Sequence, residues 1–143
     1  MTIPAPGDKI RPKRSAKLQF ASTTLMLEAF LILFATLVAY GLRDIPSVWI
    51  VKEVPSAAKI WLFGALLFVI LLVLSRMLES PGGYLAGTLV QLPVLACGFA
   101  VPMMFGLGAV FIVLWFVAIR LGGKIDRERA EYDAAHPETA PNV

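Results

Sequence analysis

Glu28 is the only charged residue between Leu18 and Leu42, a run that is otherwise almost entirely apolar. A carboxyl group in such surroundings has three chemistries open to it: a neutral hydrogen bond that fixes packing, exchange of a proton, or the holding of a cation in a cavity. By side-chain type its partners are Thr24 in the same run and Thr88 and Gln91 in a second, charge-free run from Ser80 to Ile119. Hydrolysis or group transfer would instead need a nucleophile beside a base, or a metal cluster. The chain has one histidine, His136, in its charged C-terminal tail, and one cysteine, Cys97, so no thiolate cluster or intrachain disulfide can form. The expectation is a non-enzymatic protein with no metal and no cofactor.

The elements that position these residues follow from hydropathy. With 58% hydrophobic and 16% charged residues and a mean hydropathy of +0.77, the chain is too apolar for a soluble globule. A hydrocarbon core of about 30 Å, at about 1.5 Å of rise per residue, needs about 20 apolar residues per crossing helix. Residues 18–42 meet this directly. The run from Ile60 to Ser75 reaches it if the helix extends over 55–78, with Pro55 in the first turn and Lys59 and Arg76 lifting their charges to the headgroups. The charge-free run is twice too long for one crossing and must fold back, and Pro102 is the natural break because proline lacks the amide hydrogen. Two further spans, 81–101 and 103–121, result. The fold class expected is all-α, a four-helix transmembrane bundle. The first run exceeds the roughly 7–15 apolar residues of a secretory signal core, which favours a retained span.

Charge gives the orientation. Lys9, Arg11, Lys13, Arg14 and Lys17 precede the first span, Arg76 lies between spans two and three, and Arg120, Lys124, Arg127 and Arg129 follow the last, so ten of the thirteen basic residues share one side. Cytoplasmic flanks are enriched in Lys and Arg, so both termini are expected in the cytoplasm and the protein in the plasma membrane. Residues 1–17 read as a disordered basic arm suited to anionic headgroups; the same cluster is explained as a topology signal, so no nucleic-acid partner is expected. Val48-Trp49-Ile50-Val51 in the first loop should lie at the membrane interface. Residues 122–143 read as a charged cytoplasmic tail in which a short helix begins after Gly122-Gly123, with Lys124 facing Glu128.

Inside the membrane, Glu28 and Gln91 each fall about ten residues from the cytoplasmic start of their spans, roughly 15 Å inward, and can meet. A protonated Glu28, favoured by removal from water, would donate to the Gln91 carbonyl oxygen. Ala21, Thr24, Glu28, Ala35 and Ala39 form a small and polar stripe, expected to pack on the face of the third span that carries Gly83, Gly87 and Gly98; Gly83 and Gly87 make a GxxxG pair suited to close approach of backbones, those of the first or the fourth span ahead of a second chain. Pro93 leaves the Leu89 carbonyl without its helical donor, for which Thr88 or Gln91 could substitute. Whether Glu28 is a structural peg or a proton site stays open at this point.

The segments GGYLAGTLVQ and GFAVPMMFGLGAVFIVLWFVAIRLGGKID resemble an actinobacterial family of small integral membrane proteins of unknown function, domain of unknown function 4233. The matching elements are Gly83, Tyr84, Gly87, Gln91, Gly98, Pro102, Phe105, Gly108, Trp115, Arg120, Gly122 and Asp126, with Arg14-Ser15-Ala16 and Glu28-Ala29-Phe30 near the start. The resemblance implies a membrane protein without assigned chemistry, and through gene neighbourhood a link to folate metabolism or the cell envelope; no residue here recognises a folate. Small multidrug-resistance transporters are similar in placing a carboxylate in the first of four spans, but their pattern lacks the long basic arm and the tight junction at Pro102. Two functional expectations result: an accessory or scaffold subunit seated in the bilayer beside a larger membrane partner, or an oligomeric proton- or cation-coupled transporter with Glu28 as its proton site.

Overall fold

In a computed structural model, the structure describes residues 15–99 and 102–136. The basic arm through Arg14, the expected end of the third span at Val101, and the tail beyond His136 lie outside the described residues. The elements in order are α1 (Ala16–Gly41), α2 (Ala57–Arg76), α3 (Gly83–Leu89), α4 (Gln91–Ala96) and α5 (Met103–Ala135), with short 3-10 turns at Pro46–Val48 and Cys97–Phe99. No strand occurs among the described residues.

Three of these helices, α1, α2 and α5, are long and apolar enough to cross a membrane. Large apolar side chains such as Phe34, Leu62 and Leu66 cover their outer faces, at 62%, 72% and 58% exposure. That pattern suits a lipid environment and no aqueous one. The third expected span differs. Its helical stretch, Gly83–Ala96, covers about 21 Å at the helical rise, shorter than the other three. Gly82 sits in the left-handed region (φ 77°) and belongs to the turn after α2, which delays the helix start from Pro81 to Gly83. Pro93 cannot donate to the Leu89 carbonyl, and the helix is interrupted at Val90.

The other boundaries shift for local reasons. Ser56 caps α2 by accepting from the Lys59 amide at 3.4 Å, so Pro55 precedes the helix instead of occupying its first turn. At the far end α5 runs through Gly122-Gly123 without a break to Ala135, where a separate cytoplasmic helix was expected. Gly122 is a packing position: a Cβ there would collide with the Lys17 backbone. Contact with α1 thereby offsets the roughly 1 kcal/mol that glycine costs inside a helix. Lys124 and Glu128 lie 3.8 Å apart on this extension.

α1 is the central element, packed against α2 on one side and α5 on the other. Its buried face, Ala21, Leu25, Glu28, Ala29, Ile32 and Thr36, has the three-and-four spacing of one helical stripe. It meets Leu67 and Leu71 of α2, Val94 of α4, and Met104 and Trp115 of α5 in one core. Two polar contacts bracket the α1–α2 crossing. Ser22 Oγ donates to the Ser75 carbonyl at 3.0 Å; near the other end Thr36 fills the place where Gly64 has no side chain, its hydroxyl donating back to the Ile32 carbonyl at 2.7 Å. In the first loop Trp49 is turned inward, 8% exposed, and its indole N–H donates to the Leu42 carbonyl at 3.0 Å. Only Ile50 and Val51 of that expected interfacial stretch are exposed.

A clasp joins the two ends of the described chain. Asp126 on α5 accepts from the Ser15 hydroxyl (2.6 Å), the Ala16 amide (2.6 Å) and the Lys17 amide (3.2 Å). A carboxylate on the first amides of a helix satisfies donors that have no intrahelical partner and sits at the positive end of the dipole. α1 and α5 are therefore antiparallel, with the start of one against the late part of the other. Partial desolvation pushes the Asp126 carboxyl upward, but its hydrogen bonds from Ser15, Ala16 and Lys17 and the charge of Arg129 outweigh it and hold the group below its ordinary value.

A group depressed in the folded state contributes stability that is complete above its unfolded value and is lost as pH falls through the folded one. The clasp should therefore be intact at neutral pH and open only in strong acid. Asp126→Asn should speed amide exchange at residues 16–18 about fivefold, equivalent to about 1 kcal/mol, and remove its acid dependence. Hydrogen exchange by mass spectrometry at neutral and acid pH checks both effects.

Candidate functional site

The site begins with Gly87. Trp115 of α5, fully buried, packs its six-membered ring against this residue, and a Cβ at Gly87 would stand 2.5 Å from the indole ring. The indole N–H donates to Thr88 Oγ at 3.0 Å, and the same hydroxyl donates to the Tyr84 carbonyl at 2.9 Å. Gly98 is likewise covered by the Phe105 ring, while Gly83 abuts the carbonyl of Leu78 in the turn after α2, 2.6 Å from where its Cβ would be. The small-residue face of α3 and the turn after α4 is thus taken up by α5 and the preceding turn. Of the two partners expected for those glycines, the structure takes the fourth span and not α1: Trp115 and Phe105 of α5 fill the places where Gly87 and Gly98 have no side chain.

With Thr88 turned to Trp115, the next residues round the helix face α1. Gln91 Nε2 donates to Glu28 Oε2 at 2.9 Å, and both residues are buried, Glu28 completely and Gln91 to 3% exposure. Nε2 also donates to the Gly87 carbonyl at 3.3 Å, so both amide protons are used and the orientation of the amide is set by the backbone. The expected direction of the bond is therefore reversed, with Glu28 accepting. Neither Thr88 nor Gln91 turns to the Leu89 carbonyl; they donate to Tyr84 and Gly87 instead. The remaining oxygens, Glu28 Oε1 and Gln91 Oε1, are buried and meet no protein donor among the described residues.

Thr24 does not join the pair. It donates to the Phe20 carbonyl of its own helix at 2.8 Å and is half-buried, because it lies roughly a quarter-turn round α1 from the middle of the buried face. Leu25 and Thr36 take the inward positions that the small-and-polar stripe assigned to Thr24 and Ala39. Lys17 adds a tie between the start of α1 and α3, its ammonium 4.2 Å from the Tyr84 ring centroid, a cation–π arrangement.

Chemically the arrangement is one carboxyl group and one primary amide in an apolar core, each with one acceptor oxygen left over. It can hold a proton on Glu28 or fix the register of α1 against α4. Among the described residues no group of three or more His, Cys, Asp or Glu gathers as a metal site. Trp115, by default a lipid-facing or packing residue, proves to be the packing partner of α3, while Asp126, to which the sequence gave no role, and Gly122, expected to end a helix, hold the start of α1. Gly87→Ala should destabilise the fold by about 1–3 kcal/mol, because the buried indole has nowhere to move, whereas Gly106→Ala, with open space at its Cβ, should be neutral; thermal unfolding in detergent separates the two.

Neither a curated protein nor a solved structure matches the chain. The sequence pattern of one protein family matches residues 19–131, from within α1 past Asp126, and includes both Glu28 and Gln91. On that match the chain belongs to the family described as proteins of unknown function, DUF4233.

Proposed function

We propose that this is a multi-pass plasma-membrane protein with four crossings, both termini cytoplasmic, acting without enzymatic chemistry as an accessory or scaffold subunit of a larger membrane protein. The observation that carries this reading is the sealing of Glu28, which is completely buried and bonded to Gln91 of the same chain. A carboxyl used as a peg needs that enclosure, and it leaves the broad apolar faces of α2 and α5 as the surfaces by which a partner or the bilayer is met. Orientation is supported by the clasp, which brings the start of α1 to the late part of α5, on the side that carries ten of the thirteen basic residues. Ser22 against Ser75 supports α2 ending where α1 begins, and the stretch from Gly83 to Phe99 then serves as a short third crossing. No nucleic-acid partner enters this reading.

One observation favours a second reading, in which Glu28 is the proton or cation site of a small coupled transporter acting as an oligomer. Glu28 Oε1 and Gln91 Oε1 are buried with no protein donor among the described residues, and buried acceptors are ordinarily satisfied. A proton on the carboxyl group supplies the missing donor.

Substitution separates the two. Glu28→Gln keeps an acceptor for the Gln91 amide, so as a peg it should leave abundance, folding and recovery of a crosslinked membrane partner unchanged; Glu28→Leu should cost about 1 kcal/mol and lower abundance. Proton-coupled flux in liposomes that is abolished by Glu28→Gln, with folding intact, would refute the scaffold reading. Reporter fusions at the two ends should both read cytoplasmic, and a C-terminus outside the membrane would overturn the four-crossing arrangement.

A further inference from the structure

At the end of the molecule opposite the Asp126 clasp, residues of α1, α2, the first loop and the turn after α4 line a cleft of about 380 Å³, within the range of roughly 300–1,000 Å³ typical of small-molecule sites. It extends from Ile32 and Leu67, one helical turn beyond Glu28, to Trp49 and Lys59 beside the first loop, with Cys97 on its wall. The polar groups along it are already committed. The Thr36 hydroxyl donates to the Ile32 carbonyl (2.7 Å), the Trp49 indole to Leu42 (3.0 Å) and the Cys97 thiol to Pro93 (3.3 Å). An interior of this kind offers water few partners and offers a hydrocarbon chain a continuous apolar wall.

The end beside the loop is different. Lys59, in the first turn of α2, is exposed, and its ammonium has no hydrogen-bond or ion-pair partner among the described residues. Arg43, at the same end of the molecule, is instead held over the Tyr40 ring at 4.0 Å and donates to the Tyr40 carbonyl at 2.7 Å. The amides that open α2 add positive potential beside Lys59. An apolar slot with one uncommitted cation at its mouth is complementary to a hydrocarbon tail that carries a negative head. We propose that the cleft is a lipid site, taking one acyl chain of an anionic membrane phospholipid with the phosphate at Lys59. This site is independent of the role of Glu28.

Cys97, the only cysteine in the chain, is a reporter already in place. The full-length protein is reconstituted in vesicles of phosphatidylglycerol or of phosphatidylcholine with the same acyl chains, and alkylation by N-ethylmaleimide is followed. Occupancy should make Cys97 react about fivefold more slowly in phosphatidylglycerol, the preference that one lysine confers beside anionic lipid. Lys59→Gln should abolish the difference and Lys59→Arg should keep it. Because Lys59 is exposed these variants should fold, which circular dichroism checks. In native mass spectrometry the wild-type chain should retain a phosphatidylglycerol molecule that Lys59→Gln loses. Equal alkylation rates in the two lipids, a difference that survives Lys59→Gln, or equal retention of phosphatidylcholine would overturn the proposal, leaving a groove filled by bulk lipid or by a second chain.

Discussion

Helices in hydrocarbon gain little from burying apolar surface against one another, since the lipid is as apolar as they are; they are held in register by close packing and by a few hydrogen bonds. In this chain that constraint falls on α1, which is fixed at three depths. Asp126 takes the first amides at one end, Glu28 meets Gln91 in the middle, and Thr36 fills the notch at Gly64 toward the other end. A helix pinned at only one of these levels could rotate or slide, because its outer surface of Leu, Phe and Val is much the same all round. Pinned at three, with α2 on one side and α5 on the other, it has one orientation, and the buried stripe from Ala21 to Thr36 follows from it.

The same constraint explains why the glycines of this protein act through what fills the space they leave. Gly87 is matched by the indole of Trp115, Gly98 by the ring of Phe105, Gly64 by Thr36, and Gly122 by the backbone of α1 itself. Each pairing brings two elements closer than any side chain would permit, and dispersion forces, individually small, accumulate over such flat contacts. Trp115 also donates its N–H to Thr88, which turns that side of α3 toward α5 and leaves Gln91 facing α1. The polar pair in the core is thus a consequence of an aromatic contact made on the other face of the same helix.

Much of this was legible in the sequence, and the reasons for the rest are physical. Hydropathy located the three long helices, because a crossing helix must be apolar over a known length, and counting from the basic ends brought Glu28 and Gln91 to one depth. Periodicity alone could not place Thr24, since a helix that is apolar nearly all round has no strong preferred face and a small rotation decides which residues are inside. It also could not say that Gly122 joins helices instead of ending one, for that depends on Lys17 lying opposite, more than a hundred positions away. The Asp126 clasp is invisible for the same reason: an aspartate in a charged segment looks solvated until the amides of Ala16 and Lys17 are brought to it. The family resemblance marks Trp115 and Asp126 as positions without roles, and residue type alone leaves Trp115 equally suited to lipid or to packing.

The geometry of the pair bears on why residue 28 is an acid. Gln91 gives both amide protons away, one to Glu28 and one to the Gly87 carbonyl, so it has only an acceptor left to offer. A hydrophobic residue at position 28 would strand one of those protons, and a charged carboxylate would stand in an apolar core with no cation beside it, at a cost greater than one hydrogen bond returns. A neutral acid would avoid both, since one of its oxygens accepts from Gln91 without a net charge in the core. An acid at this position therefore ties the packing of α1 against α4 to one buried carboxyl group, and a change at that group is felt by both helices.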